Sequence, residues 1–293
     1  MEKNILVKVK DKISFVYIEK AKITVKDFSV VLIREDSTVD IPIATVNTII
    51  LGIGTSITQN AVIEISKFGC TIIWSGSNLN YFYTFGQPQT FSSKNLLLQC
   101  KLHESKVASI EVIRNMYSIR YPNERLKSKS KEDLLGLEGM KMQQCYQDLA
   151  NKFGVVWIER TYHVEDFYSQ DYINKCITTA NQLLYAVITA IVVGLGFSTA
   201  LSFIHNGKML SFVYDLADLY KESLVLPLVF EYCSKTTDTD ESLRELKKVL
   251  NYQFLTVKFL RSVVNDIKFI FTNNINLSSI DLLDFSEVEF VEI

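Results

Sequence analysis

Apolar residues change their period near residue 88, and that change divides the chain. Before it they alternate. Residues 13–18, 28–33 and 46–51 are rich in β-branched and aromatic side chains and are predicted as strands, with polar turns such as Arg34-Glu35-Asp36-Ser37 between them. A short amphipathic helix is predicted over 58–68, ended by Gly69 as a C-cap, and strands again over 70–74 and 81–85. Gly86-Gln87-Pro88 closes this part. No internal repeat and no low-complexity tract is visible.

From about Phe91 the period is helical. One long helix is predicted over 94–121, stopped by Pro122, and Ser130 with Asp133 forms a capping box for the next. On that next helix Leu135, Glu138, Met142, Cys145, Leu149 and Phe153 fall on one stripe at steps of three and four, which embeds a carboxylate in the buried face. A buried helix runs to Val193, Gly194-Leu195-Gly196 breaks it, and a second apolar segment leads to His205. Ser211 is predicted to cap a helix whose buried stripe is Phe212, Leu216, Leu219, Leu226 and Phe230, with Asp215 and Asp218 at the border of the stripe and a bend at Pro227. Residues 242–273 read as helix, and the tail from Ile275, without a clear period, reads as either mobile or a docking strand. The fold class is therefore α+β: an N-terminal β-rich domain, 1–88, followed by a larger all-α domain, 89–293, ending in an acidic tail.

Composition adds the class and the surroundings. The 293 residues are 48% hydrophobic and 22% charged, enough for two ordinary cores and too apolar for disorder. A net charge of -2 exerts no global pull on nucleic acid, but its distribution is uneven. Lys94, Lys101, Lys106, Arg114, Arg120, Arg125, Lys127, Lys129 and Lys131 outnumber the acids among them, whereas no base follows Lys268. Five scattered cysteines without a C-x-x-C pair suit free thiols in a reducing cytoplasm. Residues 183–204 have the length and apolarity of a membrane span, yet the glycine break makes them a buried core segment, and no membrane is expected.

The candidate chemistry lies in three pieces. Imidazole and carboxylates around His205, Asp215 and Asp218 are the ligand types of a hydrolytic or phosphoryl-transfer metal centre; the plain alternative is a loop histidine beside a solvated helix face. Glu138, if buried, needs a partner, and an arginine, a proton or a metal ion would each serve; the plain alternative is an exposed place at the start of its helix, where the dipole favours a carboxylate.

Several stretches together carry a resemblance. They are Gly136-Leu137-Glu138-Gly139 with Tyr146, Asp171-Tyr172-Ile173-Asn174-Lys175-Cys176, Leu184-Tyr185, Phe203-Ile204-His205-Asn206-Gly207-Lys208 and Leu210-Ser211-Phe212-Val213-Tyr214-Asp215-Leu216-Ala217-Asp218. Asp11-Lys12-Ile13-Ser14-Phe15, Leu51-Gly52-Ile53-Gly54-Thr55-Ser56 and Trp74-Ser75-Gly76 extend it to the β-rich part. To about residue 235 the chain resembles the CRISPR-associated adaptation integrases, in the form found with the E subtype of type I systems. The resemblance implies a homodimer, two copies of which clamp a small ferredoxin-like partner protein, and the insertion of short DNA fragments into a CRISPR repeat array by attack of a 3′-hydroxyl on a phosphodiester. It implies Glu138, His205 and Asp218 as ligands of Mg²⁺ or Mn²⁺, with Asp215 and Lys208 beside them in the catalytic set. Tyr185, Tyr214 and Lys221 line the site, and with Arg244 and Lys248 of the basic C-terminal helix they are the expected DNA contacts. Lys20, Ile53, Gln59, Tyr81, Leu135 and Gln143 depart from the family pattern. A stand-alone structure-specific endonuclease and a catalytically silent DNA-binding scaffold are the alternatives.

Overall fold

The computed structural model describes residues 14–76, 81–89, 91–161, 167, 169–275 and 289–292. The first residue of the first expected strand, the Asp11-Lys12-Ile13 piece of the resemblance and most of the acidic tail lie outside them.

Two sheets form the N-terminal part. One has the order β8-β7-β5-β1-β9 and the other β4-β3-β2-β6. In the first, β1 (Ser14–Ile18), β5 (Val46–Leu51), β7 (Thr71–Ser75) and β9 (Glu289–Glu292) are parallel, and β8 (Phe82–Gly86) is antiparallel at one edge. Every residue of β5 is buried, as expected of a central strand covered on both faces. The pleat separates its neighbours cleanly: Phe15, Tyr17, Ile50 and Ile73 join the helical core, while Val16, Ile18, Ile49, Leu51 and Ile72 pack on α1 (Gln59–Lys67) and the second sheet. The sheet is thus a shared wall between two cores.

The second sheet corrects the sequence reading. Residues 28–33 do not form one strand from Phe28; β3 is Ser29–Ile33, and Phe28 belongs to the turn. Its hairpin partner β2 (Lys22–Lys26) was invisible because the two-residue turn carries no glycine or asparagine. Asp27 and Phe28 take φ values of 48° and 65° there, and the Phe28 ring is fully exposed. The strands β4 (Thr38–Asp40) and β6 (Ser56–Ile57) were also not foreseen, being too short to show a period.

Beyond Gly86 the described elements are all helical until β9. The predicted helix over 94–121 is two, α2 (Lys94–Glu104) and α3 (Lys106–Arg120). Ser105 breaks it by taking an extended conformation and accepting the Ala108 N–H as the cap of α3. The capping box of Ser130 and Asp133 starts α4 (Lys131–Phe153), and Gly154 ends it in the left-handed conformation. α5 (Tyr172–Gly194) is the central helix, capped by Asp171 and buried on nearly every face. It is the one described helix long and apolar enough to cross a bilayer, and 83% of its most apolar window is buried inside the fold. Its end is pinned to the sheet, since Asn47 donates to the Gly194 carbonyl at 3.0 Å.

α6 (Ser211–Tyr220) passes without a break through a π-helical turn, Lys221–Val225, into α7 (Leu226–Cys233). Pro227, in the first turn of α7, has no N–H to return to the preceding turn, and the π geometry lies just upstream of it. α8 (Asp240–Thr256) and α9 (Phe259–Thr272) follow, separated at Lys258, whose φ is 50°. Of the two readings of the tail, the docking strand holds: β9 returns to the edge of β1.

Candidate active site

The segment from Leu195 to His205 has no regular structure, and polar side chains hold its backbone from both sides. On α2, Asn95 and Gln99 stand one helical turn apart and His103 one turn further. Asn95 donates to Leu195 O at 2.8 Å, and Gln99 donates to Ser198 O and Leu201 O while accepting the Ser198 N–H. The His103 ring nitrogen lies 2.8 Å from Ser202 O. Lys131 Nζ donates to Phe203 O at 2.8 Å and Ile204 O at 3.1 Å. From the other side, Asp215 accepts the N–H groups of Phe203, Ile204 and His205. These carbonyls and amides need partners because they are buried, and the side chains that supply them fix where His205 stands.

His205 gives Nδ1 to Asp215 Oδ1 at 2.8 Å and leaves Nε2 facing Asp218 Oδ2 at 3.6 Å. The hydrogen bond to Asp215 raises its pKa; burial opposes this, and the Asp218 charge adds to the rise. The two aspartates are not at the border of their helix as expected: Asp215 has no exposed surface and Asp218 is 9% exposed, because α6 is buried on nearly every face. Ser211 is not the cap either. It is the first helical residue, and its hydroxyl accepts the Lys208 N–H.

Glu138 projects from the inward stripe of α4. That stripe begins at Leu134, which is buried, and not at Leu135, which is 42% exposed. Of the three partners the sequence allowed, the structure supplies an arginine: Arg120 Nη1 donates to Oε1 at 2.6 Å, and the Tyr117 hydroxyl donates to Oε2 at 2.5 Å. Burial raises the Tyr117 pKa, and the Glu138 carboxylate beside it reinforces the rise. Arg120 also reaches Glu222 through Nε at 2.7 Å and Nη2 at 2.5 Å, and Tyr121 donates to the same carboxylate oxygen at 2.6 Å. Asp218 is paired with Lys221 at 2.6 Å, whose ammonium lies 5.2 Å from the Tyr185 ring. Burial works against the Lys221 charge, but Asp218 outweighs it and the pKa is raised.

One cavity of about 460 Å³ collects these groups: Glu138, His205, Lys208, Asp218, Lys221, Tyr185 and Tyr214 all line it. Asp215 lies behind His205 and does not. Arg244 and Lys248 are elsewhere, exposed on α8 and paired with Glu241 and Glu245 one turn back. Arg120 and Arg160 also line the cavity and were not foreseen. Arg120 was counted among nine basic residues offered to phosphate, yet its side chain is 4% exposed. Arg114 and Lys131 of that run are likewise turned to Glu111 and to backbone carbonyls. Of the remaining six, Lys94, Lys101, Lys106, Arg125 and Lys127 are exposed and Lys129 is half-buried.

Hard divalent ions take carboxylate oxygens, and one imidazole shifts the set toward Mn²⁺; Glu138, His205 Nε2 and Asp218 supply those donors to one space. Among the described residues they do not close into a ligand shell, since each carboxylate is turned to a cation of the protein. The donor chemistry fits a divalent ion, which would take over the carboxylate oxygens now paired with Arg120 and Lys221.

Comparison with known proteins gives the family. The family profile described as CRISPR associated protein Cas1 matches residues 118–267, which hold Glu138, His205 and Asp218. A CRISPR-associated endonuclease Cas1 of Clostridium sp. is 30% identical over 96% of this chain and 94% of its own. That of Escherichia coli is 33% identical over 87% of this chain and 84% of its own. The crystal structure of a TtCas1-DNA complex superposes with a TM-score of 0.82 at 29% identity, covering 90% of this chain and 98% of that one. A casposase bound to integration product, at 14% identity and a TM-score of 0.58, shares the fold. Both the sequence and the fold make this chain a member of the Cas1 family of CRISPR-associated proteins.

Proposed function

We propose that this protein is a metal-dependent DNA endonuclease and integrase that inserts short DNA fragments into a CRISPR repeat array. The observation that carries the proposal is that Glu138, His205 and Asp218, from three separate segments, face a single cavity rimmed by Lys208 and Lys221. These three would hold Mg²⁺ or Mn²⁺. When bound, such an ion supplies a lowered pKa for the attacking 3′-hydroxyl and neutralisation of charge on the phosphodiester oxygens. The protein's own part is positional. Asp215 fixes the His205 tautomer so that Nε2 is the nitrogen presented, and Lys208 and Lys221 are point charges for phosphate. Tyr185 and Tyr214, ring centroids 4.9 Å apart, form an aromatic wall against which a DNA end would rest.

The reading extends to partners: a homodimer built through the β-rich part, 1–88, and two such dimers around a small ferredoxin-like protein. The DNA-bound relative supports DNA as ligand. Free cysteines, three of them buried, support a reducing cytoplasm.

An integration assay tests the whole reading, with a labelled duplex, a repeat-bearing plasmid and divalent ion. Joined product is expected, and it should disappear in Glu138→Ala and Asp218→Ala while DNA retention persists, because phosphate affinity is spread over many bases. Cleavage without joining would identify a stand-alone endonuclease. Retention with neither, unchanged by the variants, would identify a silent scaffold.

A further inference from the structure

Both carboxylates proposed to hold the divalent ion are occupied by protein cations, and the two cations differ in what they can do when displaced. Lys221 carries its charge on an unbranched stem, with 17% of the side chain exposed and the Tyr185 ring beside the ammonium. Arg120 borders the cavity, but its side chain is only 4% exposed and its charge is balanced by Glu138 on α4 and Glu222 on the π turn. A buried guanidinium abandoned by Glu138 would be left with an unbalanced charge, and that cost would be charged against metal binding.

Glu222 removes the difficulty. It is the second residue of the π turn, next to the Lys221 that pairs with Asp218, and it reaches Arg120. Its Oε1 takes both Nε and Nη2 of Arg120 and the Tyr121 hydroxyl besides. Only Nη1 is spent on Glu138. Glu222 does not line the cavity, so it is a poor candidate for a ligand. We propose that Glu222, with Tyr121, is a positioning residue that retains Arg120 in place and thereby releases Glu138 to a divalent ion. The inference rests on the metal-site reading above and concerns a residue outside it.

The test is Mn²⁺ binding to the full chain without DNA, followed by the electron paramagnetic resonance of the free ion, with thermal unfolding of each variant alongside. Glu138→Gln should remove the site. Glu222→Gln should weaken binding about tenfold, the range typical of groups that support metal ligands. That loss alone would also follow from one fewer negative charge nearby, so the decisive variant is the double. With Arg120→Gln in place no guanidinium remains to strand, and Glu222→Gln should then change affinity by less than about twofold. Should Arg120→Gln not fold, Tyr121→Phe alters no charge and should cost about threefold through the lost hydrogen bond. Wild-type affinity in Glu222→Gln, a tenfold loss that persists in the Arg120→Gln background, or wild-type affinity in Tyr121→Phe would each overturn the inference while Glu138→Gln still loses the ion. If Glu138→Gln binds Mn²⁺ as the wild type does, the metal-site reading fails first and takes the inference with it.

Discussion

Nδ1 of His205 lies 2.8 Å from Oδ1 of Asp215, a carboxylate with no exposed surface. Asp215 also accepts three backbone N–H groups, so its lone pairs are committed inside the protein. Its work is to hold the loop and the ring, one step behind the ion. Asp215→Asn keeps the volume but turns an amide donor toward donors. It should destabilise the fold by about 3 kcal/mol, read as a lower urea midpoint at unchanged slope. Wild-type stability in this variant would mean that Lys131 and the polar face of α2 are sufficient to hold the loop.

Salt dependence should separate the bases that meet phosphate from those that meet protein. Arg125→Ala and Lys127→Ala remove exposed charges and should each lower the slope of log affinity against log salt by about one. Lys131→Ala removes the donor to Phe203 and Ile204 carbonyls and should leave the slope alone while lowering the melting temperature. Equal effects of all three on the slope would place Lys131 on the DNA.

Much of the fold was legible because burial imposes period. Strands β1, β5 and β7 and helices α4 and α5 announce themselves through apolar spacing, and the cap of α4 through two residues. What stayed hidden has local causes. The β2–β3 turn uses Asp27-Phe28, which carries no turn signature, and the break at Ser105 turns on a single hydroxyl inside an unbroken helical pattern. The π turn cannot be read from a period of 3.6.

The site was half legible. Glu138 stands out in the sequence because a carboxylate on a buried stripe demands a partner, and the structure gives it Arg120 and Tyr117; His205 and Asp218 stand out through residue type and the family resemblance. Arg120 and Glu222 were missed because pairing across α3 and the π turn is a tertiary fact: each alone resembles an ordinary surface charge. Arg244 and Lys248, read as basic positions for DNA, lie on α8 away from the cavity, exposed and paired with Glu241 and Glu245.

Gly194 tests the join between helix and sheet. A Cβ there would stand 2.6 Å from Thr48 Oγ1 and 2.7 Å from Phe15 Cε1, both in the buried wall between the two cores. Neither neighbour is a loose end, so Gly194→Ala should overpack and cost about 1–3 kcal/mol despite the better helix propensity of alanine. Thermal unfolding would show it, and an unchanged or raised melting temperature would mean that α5 can slide on the sheet.

The raised pKa of His205 fixes a sign for stability against pH. The folded state holds the imidazole proton more tightly than the unfolded chain does, chiefly through the bond to Asp215. Its contribution is therefore complete below the unfolded value of about 6.5 and is lost as pH rises through the higher folded value. Glutamine at this position cannot take the proton. In chelator, the melting temperature of the wild type should exceed that of His205→Gln by more at about pH 6 than at about pH 8.5. A gap that is the same at both values, or that widens on the alkaline side, would show that the imidazole is neutral in the folded protein throughout and that Asp215 holds it by geometry alone.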